Sequence, residues 1–363
     1  MALSKEYQKC DMERIKELCS KFPKEYADLF ELVSPIIIDY LGKENESVVL
    51  QTLEKIEIEA TDQEKDKRLF DVIDGHRPDN YVCNSGSMVN PKLVNMASGV
   101  YQAWPVIEEK DGRLSLEDER MIMGVKPLKY SFNGIATYVH EFLHAVKSSN
   151  DQFSIIDDKD GKQYLRERCG LIYSLYDLNQ REDGVIESSL VREMNTGIEE
   201  GINTVDEYAI MNQLLGIPLD QLPENCRYIV ENVPENERHS DHQIEAGYRF
   251  LATSSSMLLD DPKTNKDIRE AQLYGKYMSM QRNFNELIGE PQNNWQALSH
   301  NMDVVAEKMY ELYQNLFIFT PEKLEAFKQD LSVYRDNVSE IISKAQNAME
   351  RKNKGKDQEQ DER

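Results

Sequence analysis

The sequence predicts an α+β fold that is mainly α-helical, and three observations support this prediction. Apolar residues recur at helical spacing through residues 3–58, 187–215 and 243–348. A further apolar stretch, 135–146, follows the same spacing and contains a single charged residue, a Glu. Short β-prone segments bounded by turn residues lie between these helical stretches, so strands are expected as a minor component.

The N-terminal helical prediction rests on apolar stripes. Met12, Ile15 and Leu18 recur at helical spacing, and a second stripe begins at Tyr26. We expect these stripes to pack in the core rather than to form a partner-binding surface. Residues 1–58 are therefore predicted to be a helical N-terminal region.

Strands are predicted in the middle of the chain, where β-prone residues lie between turn formers. Residues 74–80 are dense in turn formers, and residues 157–161 are an acidic turn that suggests a hairpin. The segments predicted as strands are 81–83, 100–107, 128–132, 153–156, 164–169 and an extension of the last one at 171–176.

These patterns divide the chain into four parts. A mixed core (59–260) follows the N-terminal region (1–58), and a largely helical region (261–350) follows the core. The last segment, 351–363, is charged and lacks aliphatic residues, so it is predicted to be a disordered tail.

The residues that carry a specific chemistry lie in the apolar stretch 135–146. They form the motif His140-Glu141-x-x-His144, and residues four apart share one face of a helix. Two imidazoles placed in this way can each give a ring nitrogen to one Zn²⁺ ion. Glu141 would lie beside the ion as the base that deprotonates a bound water.

The helix that carries this motif is expected to have a cap and a polar end. Asn133 can cap its start, and residues 148–151 are typical of its end. No charged residue other than Glu141 lies between Asn133 and Lys147. Because a lone buried carboxylate is costly without a nearby cation, this pattern favours a metal ion next to Glu141.

The motif resembles the active-site helix of the zincin metallopeptidases, in which uncharged residues fill the gap between the histidines and hydrophobic residues flank the motif. Phe142 and Leu143 fill the gap here, and Ala145 and Val146 follow it. The resemblance implies a zincin-like catalytic core with an active-site helix, a small sheet or hairpin, and a second helix that carries the third ligand. The metzincin extension, a Gly followed by a third His, does not occur in residues 145–160.

Glu200 is the preferred candidate for the third ligand. Thr196 and Glu199 match a capping box, which assigns Glu199 to the start of the second helix and leaves Glu200 to reach the metal. Gly201 leaves room for another backbone or a substrate to come close. Glu199 remains the competitor if this capping assignment is wrong.

The Glu200-Gly201 pair resembles that of gluzincins whose ligand lies in a Glu-Gly pair opening the second helix. The resemblance covers residues 130–215. Some gluzincins place an acid four residues after the ligand to hold the first His, and Thr204 occupies that position here. The residues left open for orienting a histidine are Asn203, Asp206 and Glu207.

A hydrolase that uses a metal-activated water also needs a donor for the oxyanion that forms on attack. The candidates, among which the sequence does not choose, are His239, His242, Tyr248 and Tyr208. The first three lie in or after a polar, irregular segment at 224–242, whereas Tyr208 lies on the helix of Glu200.

Composition limits the partners and the location. The net charge of −23 argues against nucleic acid and disfavours anionic membranes. Residues 1–11 are polar and the most apolar run, 32–38, is too short to span a bilayer, so we expect neither a signal peptide nor a membrane span. The five scattered cysteines favour reduced thiols in the cytoplasm, with secretion by a leaderless route left open.

The leading hypothesis is a zinc-dependent metallopeptidase that binds one Zn²⁺ through His140, His144 and Glu200 and uses Glu141 as general base. The residues by themselves indicate metal-assisted hydrolysis, and a peptide or protein substrate is implied by the resemblance. One alternative is a non-catalytic helical interaction or regulatory protein on a zincin scaffold. Another is a dedicated regulatory protease with one protein target.

Overall fold

The structure, a computed structural model, describes residues 10–60, 69–84, 99–238 and 262–275, together with residues 252, 255, 256 and 259. Over these residues about 48% of the chain is helical and 28% lies in strands. Most of the helical prediction for 243–348 and the predicted tail at 351–363 lie outside the described residues. The division of the chain at residues 58, 260 and 350 stays a prediction.

The secondary structure alternates between helices and strands along the described chain. The helices are α1 Met12–Cys19, α2 Lys24–Leu41, α3 Glu46–Lys55, α4 Leu69–Asp74, α5 Phe132–Ser148, α6 Thr196–Leu215, α7 Arg227–Glu231, α8 Glu235–Arg238 and α9 Pro262–Tyr274. The strands are β1 Ile56–Ala60, β2 Tyr81–Cys83, β3 Gly99–Lys110, β4 Arg113–Val125, β5 Phe153–Asp157, β6 Gln163–Cys169, β7 Ile172–Gln180 and β8 Ile186–Met194. Helices up to Lys55 agree with the helical prediction for the N-terminal region, whereas residues 56–58, which were also predicted to be helical, belong to β1.

The strands form two mixed sheets. One has the order β1-β4-β3, with β1 parallel to β4 and β3 antiparallel to it. The other has the order β2-β8-β7-β6-β5, in which only the β2–β8 pair is parallel. The prediction of a mainly α-helical, zincin-like fold with a small sheet or hairpin is therefore wrong.

The strand content was underestimated because two strands, β8 and β4, have sequence patterns that are not typical of strands. Residues 187–194 were predicted to be helical but form most of β8, where Ile186, Leu190 and Met194 are four residues apart and imitate a helical stripe. β4 was not predicted, since charged residues occupy much of its first half. In both strands pairing with neighbours on each side outweighs the local pattern.

Two further strand predictions need correction. Residues 171–176 do not extend β6, because Gly170 has a positive φ of 59° and lets the chain reverse into a separate strand, β7. Residues 128–132 are not a strand, since Ser131 already caps α5. The hairpin predicted from 153–156 and 164–169 is confirmed as β5 and β6.

Helix α5 lies at the centre of the described structure. It packs against β3 and β4 of the first sheet, β6 of the second sheet, and helices α3, α6 and α9. Its apolar face is fully buried, and the ring of Phe142 meets that of Phe30 from α2 at a centroid distance of 4.7 Å. The remaining stripe of the helix is polar and faces α6.

The start of α5 differs from the prediction, whereas its end agrees with it. The Ser131 side chain, not that of Asn133, accepts a hydrogen bond from the Gly134 amide at 3.1 Å. Gly134 is required there because a Cβ would lie 2.2 Å from the carbonyl oxygen of Lys129. The helix ends at Ser148, within the predicted polar end.

Buried Arg168 joins the ends of two helices to the second sheet. Its Nη1 donates to the carbonyl oxygens of Lys147, Gly170 and Gln272 at 3.0, 2.9 and 2.7 Å, and Nη2 donates to that of Asn150. These carbonyls lie near the end of α5, in the β6–β7 turn and near the end of α9. A cation in this position is also favoured by the negative ends of both helix dipoles.

We expect Arg168→Met to lower the free energy of unfolding by about 3 kcal/mol or more, because several buried carbonyl groups lose their donor. Arg181→Met is the matched control, since Arg181 is 49% exposed and its partners Asp183 and Glu187 are 51% and 33% exposed. It should cost less than about 0.5 kcal/mol. Urea unfolding of both variants measures the difference. Equal losses in the two variants would contradict this role of Arg168.

Within the described residues, no helix combines the length and the apolar character that a membrane crossing requires.

Candidate metal centre

Helix α5 presents two imidazole rings one turn apart on its polar stripe. The side chains of His140 and His144 are 17% and 8% exposed. Their Nε2 atoms lie 3.2 Å apart, and the rings meet edge to face. Both rings are largely shielded from water, and their Nε2 atoms are close enough to bind one metal ion together.

Glu200, on the facing helix α6, completes this group. Its Oε2 lies 3.4 Å from His140 Nε2, and its Oε1 lies 3.4 Å from His144 Nε2. Among the described residues, these are the His, Cys, Asp and Glu side chains that come together closely enough to hold a metal ion, with ligand atoms within 4.8 Å of one another. The structure thus brings together the three ligands predicted from the sequence.

The separations within this group can be compared with those between donor atoms in a tetrahedral zinc site. Donor atoms held about 2.0–2.1 Å from one zinc ion in tetrahedral geometry lie about 3.3–3.4 Å from each other. Here the two Nε2 atoms lie 3.2 Å apart, and each lies 3.4 Å from a Glu200 oxygen, Oε2 for His140 and Oε1 for His144. Two neutral imidazoles and one carboxylate are also a donor set that catalytic zinc sites use, with the fourth position left for water.

Each histidine has a partner at the ring nitrogen that points away from the group. His140 Nδ1 lies 2.8 Å from Glu207 Oε2. Since an ionised carboxylate can only accept, Nδ1 carries a proton, so Nε2 is the nitrogen that a metal can bind once it displaces the second proton. His144 Nδ1 has a weaker contact, 3.6 Å from Cys169 Sγ.

Glu207 is therefore the residue that orients a histidine, among the three that the sequence left open. It lies seven residues after Glu200, so two helical turns bring both carboxylates to the same face of α6. Asn203 instead contacts the His140 main chain. Asp206 pairs with Lys147.

The buried carboxylates favour positive charge at the histidine pair. Burial lowers the pKa of His140, but hydrogen bonds to Glu200 and Glu207 outweigh it and raise the pKa to about 10. Burial also opposes protonation of His144, yet the charge of Glu200 holds its pKa well above the usual value. Burial raises the pKa of Glu200, but the adjacent histidines hold it well below its usual range. A divalent cation would satisfy the same carboxylate charges and displace protons from the rings.

The position of Glu141 is set by β3. Its Oε2 accepts a hydrogen bond from the Tyr101 amide at 2.7 Å. Gly99 permits this close approach, because a Cβ there would lie 2.9 Å from both Glu141 Cγ and Thr137 Cγ2. The strand thus holds the predicted general base through one carboxylate oxygen.

The capping box predicted for the start of α6 is wrong. Asn195, and not Thr196, occupies the N-cap position with a left-handed φ of 68°, and its own side chain does not cap the helix. The Thr196 hydroxyl donates instead to Glu193 at 3.0 Å. The choice of Glu200 as the ligand therefore rests on its position facing the histidines and not on the capping argument.

Glu199 is fully buried and has partners other than the two histidines. Its Oε2 accepts hydrogen bonds from the Leu171 amide at 2.8 Å and from Gln272 Nε2 at 2.9 Å. Its Oε1 lies 3.5 Å from Lys147 Nζ. Glu199 thus joins α5, α9 and the β6–β7 turn, as a structural acid rather than as a metal ligand.

The predicted oxyanion donors are not brought to the group by any described contact. Tyr208 packs its ring against Phe132, at the first residue of α5, with a centroid distance of 5.1 Å. His239, His242 and Tyr248 lie outside the described residues. All four remain predictions for this role.

Sequence reasoning missed Tyr101, Gly99 and Cys169. Tyr101 lies 40 residues before its partner Glu141, and Cys169 lies 25 residues after His144. No spacing rule connects these positions, because strand and turn residues reach the group only through the packing of both sheets against α5.

Comparisons with known proteins give no match. No family model matches this chain, no curated protein matches it in sequence, and no solved structure matches its fold. Its function has to be argued from the arrangement of its own residues.

We expect Glu207→Gln to weaken zinc binding by about 10- to 100-fold, because the neutral amide stabilises the His140 tautomer less well than the carboxylate does. Titration of the metal-free protein against a competing chelator measures the affinity. Glu231→Gln, which changes an exposed acid at the end of α7, is the control and should bind zinc as the unmodified protein does. An unchanged affinity in Glu207→Gln would remove Glu207 from the site.

Glu199→Ala and Glu200→Ala should have opposite effects. Glu199→Ala leaves buried donors without their acceptor and should lower the free energy of unfolding by about 3 kcal/mol. The folded protein should keep its zinc affinity, because Asp206, at 2.9 Å, still holds Lys147. Glu200→Ala removes a charged ligand, so zinc affinity should fall by orders of magnitude, with little change in the stability of the metal-free protein. Urea unfolding and metal titration separate the two. Loss of zinc binding in Glu199→Ala alone would reverse the assignment.

Proposed function

We propose that this protein is a zinc-dependent hydrolase of peptide bonds, with one zinc ion per chain bound by His140, His144 and Glu200. The observation that carries the proposal is the convergence of the three side chains: the two Nε2 atoms lie 3.2 Å apart, and each lies 3.4 Å from one of the two carboxylate oxygens of Glu200. Glu207 supports it by holding His140 with Nε2 available for a metal. Glu141 is next to His140 on the same helix, where a general base for metal-assisted hydrolysis is expected.

The substrate class rests on the motif alone. His140-Glu141-x-x-His144 resembles the active-site motif of zincin metallopeptidases, and the Glu200-Gly201 pair resembles that of gluzincins. These local resemblances favour a peptide or protein substrate. They do not extend to the overall architecture.

The residues around the group have distinct parts in the proposed reaction. A zinc ion, when bound, would lower the pKa of a water to about 7 and polarise the carbonyl under attack. Glu141 takes the proton that this water loses and passes it to the amine that leaves. The Tyr101 amide holds the Glu141 carboxylate in one orientation during both transfers, and Glu207 keeps His140 in the tautomer that binds metal.

A cytoplasmic location is also part of the proposal. All five cysteines are free thiols, with Cys10, Cys19 and Cys226 buried. Free thiols in every position agree with a reducing compartment, where disulfides are rare.

We expect the purified protein to contain one zinc ion per chain and to cleave peptides, and Glu141→Gln to keep the zinc and lose the activity. The substitution removes the base but leaves all three ligands. Elemental analysis and a peptide-library assay, run on both proteins, give the two readouts. Absence of zinc from the unmodified protein would overturn the proposal, and full zinc content without cleavage of any peptide would favour the non-catalytic alternative.

A further inference from the structure

A buried side-chain amide connects the two helices that carry the metal ligands. Asn203, on α6, donates from Nδ2 to the main-chain oxygen of His140 at 3.0 Å. Its Oδ1 accepts a hydrogen bond from Lys147 Nζ at 2.8 Å. Both Asn203 and Lys147 are fully buried. Both polar atoms of the Asn203 amide are therefore bonded to α5. One is bonded to the backbone of the turn that carries the motif, and the other to the Lys147 side chain two turns later.

Lys147 is itself held in a buried ion group, which consists of Lys147, Glu199, Asp206 and Arg269. Lys147 Nζ lies 2.9 Å from Asp206 Oδ2 and 3.5 Å from Glu199 Oε1. Arg269, on α9, binds both oxygens of Asp206 at 2.5 and 2.6 Å. Two cations thus face two carboxylates, so the charges of the group balance, and the ammonium that holds Asn203 cannot move away without leaving buried acids unpaired.

We propose that Asn203 is a positioning residue that sets the distance between Glu200 and the two histidines. Asn203 lies three residues after Glu200, on the same face of α6. It donates to the carbonyl of His140, in the helical turn that separates His140 from His144. A hydrogen bond fixes a distance and a direction, whereas an apolar contact between two helices permits sliding. The ion group holds the Asn203 amide, and this amide holds α5 at a fixed distance from α6. At that distance each histidine Nε2 lies 3.4 Å from an oxygen of Glu200.

The neighbouring Thr204 shows that burial beside Glu200 does not by itself connect the helices. Its hydroxyl donates to the Glu200 carbonyl at 2.8 Å, within its own helix. It is 4% exposed and lies four residues after Glu200, one residue further than Asn203. Thr204 is therefore a matched control for a positioning effect.

The inference rests on the proposed metal site, and its test compares Asn203→Asp with Thr204→Val in the full-length protein. Asn203→Asp keeps the shape of the side chain and its bond to Lys147 but removes the donor to the His140 carbonyl. Asn203→Ser is the second variant, too short to connect both α5 groups and without added charge. Three quantities are measured on each protein: the melting temperature without metal, zinc affinity against a chelator, and the visible absorption spectrum with Co²⁺ in place of zinc.

We expect the folded Asn203 variants to bind zinc about 10- to 100-fold more weakly and to give a Co²⁺ spectrum shifted from that of the unmodified protein. Thr204→Val should match the unmodified protein in both readouts, whatever its melting temperature. A merely structural role would lower only the melting temperature.

Unchanged affinity and spectrum in a folded Asn203 variant would overturn the inference while leaving the metal site in place. Equal changes in Thr204→Val, or failure of both Asn203 variants to fold, would also overturn it, since Asn203 would then serve general stability. An unmodified protein that binds neither zinc nor Co²⁺ would instead remove the proposed function itself.

Discussion

The buried ion group is the interaction on which the arrangement around the candidate metal centre depends. Lys147 from α5, Glu199 and Asp206 from α6, and Arg269 from α9 are held together with almost no access to water. Removing charged groups from water costs several kcal/mol each, so such a group is tolerated only when every member is paired. The three helices are consequently held in one relative position, because any shift would leave a buried charge without its partner.

The same pair of helices carries the candidate metal ligands, and helical periodicity explains why. On α5, the positions of His140, His144 and Lys147 follow the spacing i, i+4, i+7 and form one polar stripe. On α6, Glu200 and Glu207 are two turns apart and form a facing stripe. One end of the contact holds three convergent metal donors, and the other end holds paired ions, so the geometry of the centre is linked to the balance of charge beside it.

The sequence predictions were correct where a feature depends on residues close together in the chain, and wrong where it depends on residues far apart. The motif helix and its end at Ser148 depend on the pattern within one helix, and the structure agrees with them. The capping box failed because Glu199 found stronger partners in Leu171 and Gln272, which are distant in sequence. The mainly α-helical prediction failed because β8 carries apolar residues at helical spacing, and only its pairing with β2 and β7 makes it a strand.

The sequence by itself determined that His140, Glu141 and His144 lie on one helix. It further determined that the two histidines share a face of that helix, since residues four apart do so regardless of what packs against them. It also determined that Glu200 and Glu207 share a face of a second helix. Only the tertiary structure decided that these faces meet, that Glu207 and not Asn203 or Asp206 holds a ring, and that β3 reaches Glu141. These facts depend on the separation and direction of elements far apart in the chain, which packing and buried charge determine and local periodicity does not encode.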